Sequence, residues 1–272
     1  MYARHLVPSS LALLGALGLA LLIARPAAAD TVQLAEMTWP EVRAALEAGV
    51  DTVLLPFGGT EQAGPHLVLG KHNLVVAAAT EQAARRLGRV LVAPVQPVSP
   101  AGAYAPADGH MRFAGTLSLR ESTYVSLAAD LALSLKAHGV PLIAFVADHG
   151  QGQAALAELA RQLDALWRPT GTRVIHIAAY HGANGQADWL RDQGLSEAAI
   201  GSHAGIRDTA ELLHLRPEGV RGDRLPAGAG LDREDSDGEP RRATPAIGAR
   251  MLALKVETIV AAVQAVRRER RP

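Results

Sequence analysis

Glu61, His66 and His72 bring a carboxylate and two imidazoles within twelve positions, and Asp148 with His149 sets a second such pair further along the chain. Imidazole nitrogens and carboxylate oxygens are ordinary ligands of zinc and related cations, and the same groups act as general acids and bases near neutral pH. The first group follows the apolar run Val53-Leu54-Leu55-Pro56-Phe57 and the pair Gly58-Gly59. The second follows Leu142-Ile143-Ala144-Phe145-Val146, within Asp148-His149-Gly150-Gln151-Gly152. Such runs read as strands buried on both faces, which offer no polar side chains. Chemistry then belongs in the loops at the strands' C-terminal ends, where open α/β sheets form their crevice. Two glycine-loosened turns after two buried strands predict one site, with His72 on a loop.

The elements that must position these residues alternate strand and helix. Thr38-Trp39-Pro40-Glu41 predicts a capped helix start, with the helix running to Ala48 and stopping at Gly49. A strand over 53–56, a helix over 74–87 and a strand over 90–95 follow. Residues 97–114 carry several Pro and Gly without a period and read as a long loop near the crevice. Ser118 or Ser122 starts a helix reaching 136–138, then come the strand 142–146, a helix over 154–167, a strand over 173–177 and a final helix over 246–268. This βαβ rhythm predicts a parallel sheet covered by helices on both sides. Residues 221–242, rich in Gly, Asp, Arg and Pro, read as a surface excursion or subunit contact, and the basic tail over 267–271 as a solvated helix end.

Residues 1–29 read as a secretory signal peptide: Arg4 and His5 precede an apolar stretch over 11–23, and Ala27-Ala28-Ala29 offers a small-residue cleavage site before Asp30. The expected product is exported, periplasmic or secreted, with no stable membrane association after leader removal; an uncleaved anchor is the competing reading. No cysteine occurs, so export brings no disulfides. The chain has 27 basic and 27 acidic residues, and loss of Arg4 and Arg25 leaves 25 against 27, a formal charge of −2. That balance favours neither nucleic acid nor an anionic membrane surface, both of which would need a basic face. Residues 30–272 suffice for one large α/β domain.

At this point the motifs carry a resemblance. Gly59-Thr60-Glu61-Gln62-Ala63-Gly64-Pro65-His66-Leu67 resembles the G-S/T-x-E-Q-H-G-P-H-L-P-L-x-T-D hallmark of the creatininase (creatinine amidohydrolase) family. His110 with 113–119 is similar to its E-H-x-x-F-P-G-T-I-S-L. Ala147-Asp148-His149-Gly150 stands at its N-G-H-G, and His203-Ala204-Gly205 with Asp208-Thr209 at its H-A-G-E-x-E-T-S. Gly238, Pro240, Ala243, Thr244 and Gly248 match its G-x-P-x-x-A-T-x-x-x-G. The resemblance implies a three-layer α/β/α fold with a mostly parallel central sheet. It also implies a homo-oligomer, often a hexamer, and a divalent-metal site that hydrolyses a cyclic or linear amide C–N bond of a small molecule.

The chain departs from the family's two-metal pattern in a grouped way. Ala63 replaces a ligand histidine, His72 the terminal Asp, and Gln151 a carboxylate found in some members. The first metal position keeps Glu61, His72 and His149, two imidazoles and one carboxylate, a set suited to four-coordinate zinc with one open position. Manganese or another divalent metal is the alternative cation. The second position loses its ligands, because alanine cannot ligate and a neutral amide is a poor substitute. One zinc per subunit is therefore the expectation, activating a water that attacks the amide carbonyl.

Other roles follow the same motifs. His203 or Asp208 would shuttle the proton to the leaving nitrogen, His203 having a satisfied core histidine as its bland alternative. His66 would fix its loop through hydrogen bonds. Asp148 would orient His149 or His72, or cap the following helix. Gln151 and His110 would stand behind the ligands or face the substrate, while His176, His181 and His214 lack motif context and read as structural. The competing function is a catalytically inactive binding or structural protein of the same fold, suggested by Ala63, Gln151 and Ile206.

Overall fold

Successive residues of the strand β1, Thr52–Phe57, face opposite layers: Val53, Leu55 and Phe57 pack into one apolar cluster and Leu54 into another. This is the two-residue period of a strand buried on both sides. The computed structural model describes residues 31–226 and 236–269, and β1 is central in its sheet. The leader with its cleavage site, and the middle of the 221–242 segment, lie outside the described residues.

The strands β2, Val90–Val92, β3, Leu142–Ala147, and β4, Arg173–His176, complete a parallel sheet in the order β2-β1-β3-β4. The helices α2, Lys71–Leu87, and α5, Pro245–Glu269, cover the Leu54 face through Val76, Ala79, Ala83, Leu252, Val256 and Ile259. On the Val53 face lie α3, Glu121–Ala137, and α4, Gln153–Trp167, contributing Tyr124, Ala128, Leu156 and Trp167. The architecture is the three-layer α/β/α sandwich expected from the alternating runs. No described helix is long and apolar enough to cross a membrane.

Local chemistry explains most boundaries. The helix α1, Trp39–Glu47, starts at a capping box in which the Glu41 carboxylate accepts the Thr38 N–H at 2.7 Å. Neither Ser118 nor Ser122 caps α3, whose N-cap position is Arg120. The helix α2 begins three residues before the expected Leu74, with Gly70 as an N-cap that supplies no side-chain bond. His72 therefore sits buried in the first turn of a helix, not on a loop.

The β1–β3 register carries both chains to the same edge: Phe57 lies opposite Ala147, and the Asp148 N–H donates to the Phe57 carbonyl at 2.9 Å. Gly58-Gly59 and Asp148-His149 thus leave the sheet side by side. A Cβ at Gly58 would stand 2.0 Å from Asn73 Oδ1 and 2.9 Å from the Asn73 Cα, so only glycine lets the chain pass under α2.

His176, at the end of β4, has neither ring nitrogen hydrogen-bonded, and burial, then the nearby His181, pushes its pKa down to about 4. A group whose pKa falls on folding favours the folded state above its unfolded value and withdraws that support as pH drops toward the folded one. Between pH 6.5 and 4 the protein should lose on the order of 2–3 kcal/mol through this side chain. His176→Leu should remove that part of the acid sensitivity in urea titrations at pH 7.5 and 4.5. An equal loss in both proteins would mean that His176 titrates alike in the folded and unfolded states.

Candidate metal centre

Glu61 is 2% exposed and is fixed by its own backbone, its N–H donating to the Leu69 carbonyl at 3.0 Å. Its carboxylate meets His72 Nε2 at 3.1 Å on Oε1, and on Oε2 it meets His149 Nε2 in a close contact and His110 Nε2 at 3.5 Å. The ligand-type atoms of Glu61, His72 and His149 lie within 4.8 Å of one another, and all three side chains are buried. Burial alone would raise the pKa of Glu61. The His149 and His72 hydrogen bonds outweigh it and hold the carboxyl far below the usual range.

His72 lies between two carboxylates, since its Nδ1 meets Asp148 Oδ2 at 2.7 Å. Burial and Lys71 would lower its pKa, but the Asp148 and Glu61 bonds prevail and raise it. With Nδ1–H donating to Asp148, the Nε2 lone pair faces the Glu61 oxygen and calls for a cation between them, whether a proton or a metal. Of the roles open to Asp148, the geometry selects orientation of His72. The His149 ring faces both the Gln151 N–H at 3.1 Å and the Gln151 carbonyl at 3.5 Å through Nδ1, so that atom can accept or donate. The Gln151 side chain stands exposed at the cavity rim.

Behind Asp148 runs a buried ion array that the sequence reading missed. Lys255 Nζ donates to Asp148 Oδ1 at 2.6 Å and to Glu211 at 3.1 Å, and stands 5.3 Å from the Tyr180 ring centre. Glu211 lies on the helix Ile206–Leu215 and also accepts from Gln186 Nε2 at 2.7 Å. Burial would raise the Asp148 pKa, but Lys255 and His72 hold it well below the ordinary range; Glu211 is pushed up by burial. One signal was available: Lys255 falls four residues from both Met251 and Ile259 on the apolar stripe of the last helix.

The opposite wall carries His110 and His203, whose ring centres are 4.7 Å apart. Gln62 joins them, its Nε2 donating to His110 Nδ1 at 2.8 Å and to His203 Nε2 at 3.0 Å, while its Oε1 accepts the Gly64 N–H at 2.9 Å. The glycine bond fixes the amide so that it engages one lone pair on each ring. Glu61, His110 and His203 also gather ligand-type atoms within 4.8 Å, but this Gln62 bridge competes with a metal there.

Asp208 pairs with the buried Lys71 at 2.6 Å and accepts the Ala204 N–H at 2.7 Å. Burial would raise its pKa, but Lys71 and then His72 hold it far below the usual range. Asp237 accepts the N–H groups of Ser202 and His203, both at 2.7 Å. The described end of the 221–242 segment is therefore packed on the His203 turn and is no simple surface excursion. His66 is fully buried with Nε2 2.9 Å from Thr209 Oγ1, and does not line the cavity. Ala63 packs against Leu67, Ala204 and Leu212. His181, read as structural, lines the cavity instead.

These groups enclose about 210 Å³. A larger groove of about 810 Å³ between α1 and α3 is walled mainly by Leu, Val and Ala side chains and lacks a converging set of polar groups. The chemistry sits in the smaller cavity.

Comparison with known proteins fits this geometry. Residues 35–263 match the model of the creatininase family, described as creatinine amidohydrolase. A mycofactocin precursor peptide peptidase of Mycobacterium ulcerans (strain Agy99) is 33% identical over 193 residues, covering 70% of this chain and 64% of that protein. The chain thus spans just under two thirds of that relative's length. Two solved structures share the fold at 23% identity and a TM-score of 0.72: a mutant creatininase of Zn–Zn type, covering 89% of this chain and 99% of that one, and a creatininase Mn form, covering 89% and 100%. The chain belongs to the creatininase family.

Proposed function

We propose that the protein is a hydrolase of an amide C–N bond, with one divalent metal, zinc, held by Glu61, His72 and His149. The observation that carries this reading is the convergence of two imidazole Nε2 atoms on the Glu61 carboxylate, with Asp148 orienting one ring from behind. Two neutral nitrogens and one anionic oxygen suit zinc, and the carboxylate behind the histidine matches the support such ligands usually have. A cation bound there supplies Lewis acidity toward an amide carbonyl and toward water. Relatives described as a peptidase and as creatinine amidohydrolase support the reaction class, and the Zn–Zn and Mn forms of structural neighbours support a divalent metal.

The remaining steps fall to the chain's own residues. Burial, and then the Lys71 charge, push His203 down to about 4, so its ring is neutral at pH 7 and can take a proton from the attacking water. For this step its Nε2 gives up the Gln62 N–H that now occupies its lone pair, accepts the proton there and returns it to the leaving nitrogen as the C–N bond breaks. Asp208 is a poor proton donor, being tied to Lys71 and Ala204 and held anionic, so its role is to hold the turn that carries His203. His110 and Gln62 keep that ring in place.

Export is proposed on the leader alone, and homo-oligomeric assembly on the family resemblance. Elemental analysis of the purified exported protein should find about one zinc per chain, on a polypeptide beginning at Asp30. Two tightly bound metals per chain would overturn the single-site reading, and none after zinc loading would favour the binding-protein alternative. Retention of residues 11–23 would make the leader an anchor.

A further inference from the structure

Arg207 is the one lysine or arginine of the cavity wall that no described carboxylate pairs. Lys71 is paired with Asp208, and Lys255 with Asp148 and Glu211. The half-buried Arg207 guanidinium instead makes its hydrogen bond to a neutral group, the Gly201 carbonyl at 3.2 Å, and no described carboxylate forms an ion pair with it. It lines the metal-site cavity and also a neighbouring groove of about 600 Å³ formed with Ser202, Ile200 and Asp237, so it stands where the two meet. An arginine costs free energy to keep partly buried without an anion, and its planar fork of donors matches a carboxylate in two parallel bonds.

We propose that Arg207 binds the carboxylate of the substrate and so restricts the enzyme to amides that carry one negative charge close to the scissile bond, such as an acylated amino acid or the end of a peptide chain. The inference rests on the amide-hydrolase reading and adds the substrate class to it. Several features favour one charge over two. The groove beyond Arg207 also contains Asp237 and Glu197, which would repel a dianion. Asp237 is engaged by the Ser202 and His203 N–H groups and Glu197 by Arg191, so neither neutralises Arg207. Residue 207 lies four positions after His203, and one turn of chain therefore carries the proposed proton carrier and the proposed anchor. The anchor would place the amide beside His203 while leaving the Glu61 side open.

Calorimetric titration of the zinc-loaded protein with N-acetylglycine and with its methyl ester tests this. The wild type should bind the acid at least tenfold more tightly than the ester. Arg207→Met should abolish the difference by weakening the acid alone, and Arg207→Lys should restore part of it. Metal content and thermal melting of each variant, measured in parallel, separate loss of the anchor from loss of the metal site or of the fold. Should Arg207→Met fail to fold, Arg207→Gln replaces it, keeping a polar group of similar reach. Equal binding of acid and ester by the wild type, or a preference for the acid that survives in the folded neutral variants, would overturn the proposal. A protein that takes up no zinc would refute the hydrolase reading, whereas an acid preference that depends on Arg207 without zinc would still support the carboxylate site.

Discussion

Glu61→Gln should leave the protein folded and strip it of its metal. The substitution keeps the side-chain size but removes the carboxylate charge whose two oxygens face His72 on one side and His149 with His110 on the other. Even residues that merely support metal ligands cost about 10–100-fold in affinity when replaced, so loss of the charged ligand should weaken zinc by at least about 100-fold. Amide hydrolysis should fall by about 10³ or more at limiting metal. His110→Ala should be far milder, because its Nε2 reaches Glu61 at only 3.5 Å and its partner Gln62 is also held by Gly64. Equilibrium dialysis against zinc, run beside the activity assay, is the measurement. Full zinc retention in Glu61→Gln would move the metal elsewhere in the cavity.

Lys255→Met should be among the most destabilising single changes. Lys255 is 7% exposed and its loss leaves Asp148 and Glu211 facing each other in a buried space. Removing one partner of a buried ion pair typically costs about 3–5 kcal/mol. For a domain of this size that corresponds to a fall in Tm of roughly 10 °C. Part of the loss should be recovered in Lys255→Met with Glu211→Gln, which removes one of the stranded carboxylates. The same change should weaken metal binding, since Asp148 would lose the partner that holds it behind His72. A melting curve within 2 °C of the wild type, on the scale of an ordinary surface substitution, would mean that water reaches Asp148 and Glu211.

The strands and both layers were legible because continuous apolar runs and alanine-rich helices leave few alternatives. The β1–β3 register, which joins two motifs 88 positions apart at Glu61 and His149, was only implied by their common place at strand ends. The start of α2 was misread because a glycine N-cap carries no side-chain signal, and His72 passed for a loop residue. Lys71 was overlooked beside it, and Gln62 inside the first motif, because their partners Asp208, His110 and His203 are distant in sequence. Asp237 was hidden by the composition of its segment. Polar pairing across long separations leaves no periodic trace, whereas burial of apolar faces does.

The array Glu61, His72, Asp148, Lys255 also sets an order in time. Its members come from the first strand's loop, the helix after it, the third strand's end and the last helix. As the chain emerges, the ligands can meet before Lys255 exists, but Asp148 then has no counter-charge and His72 no settled orientation. Closing so long a loop is slow compared with forming the local helices. Metal capture should therefore be a late event that reports the docking of the last helix, and zinc uptake followed during refolding would lag behind the recovery of helical signal.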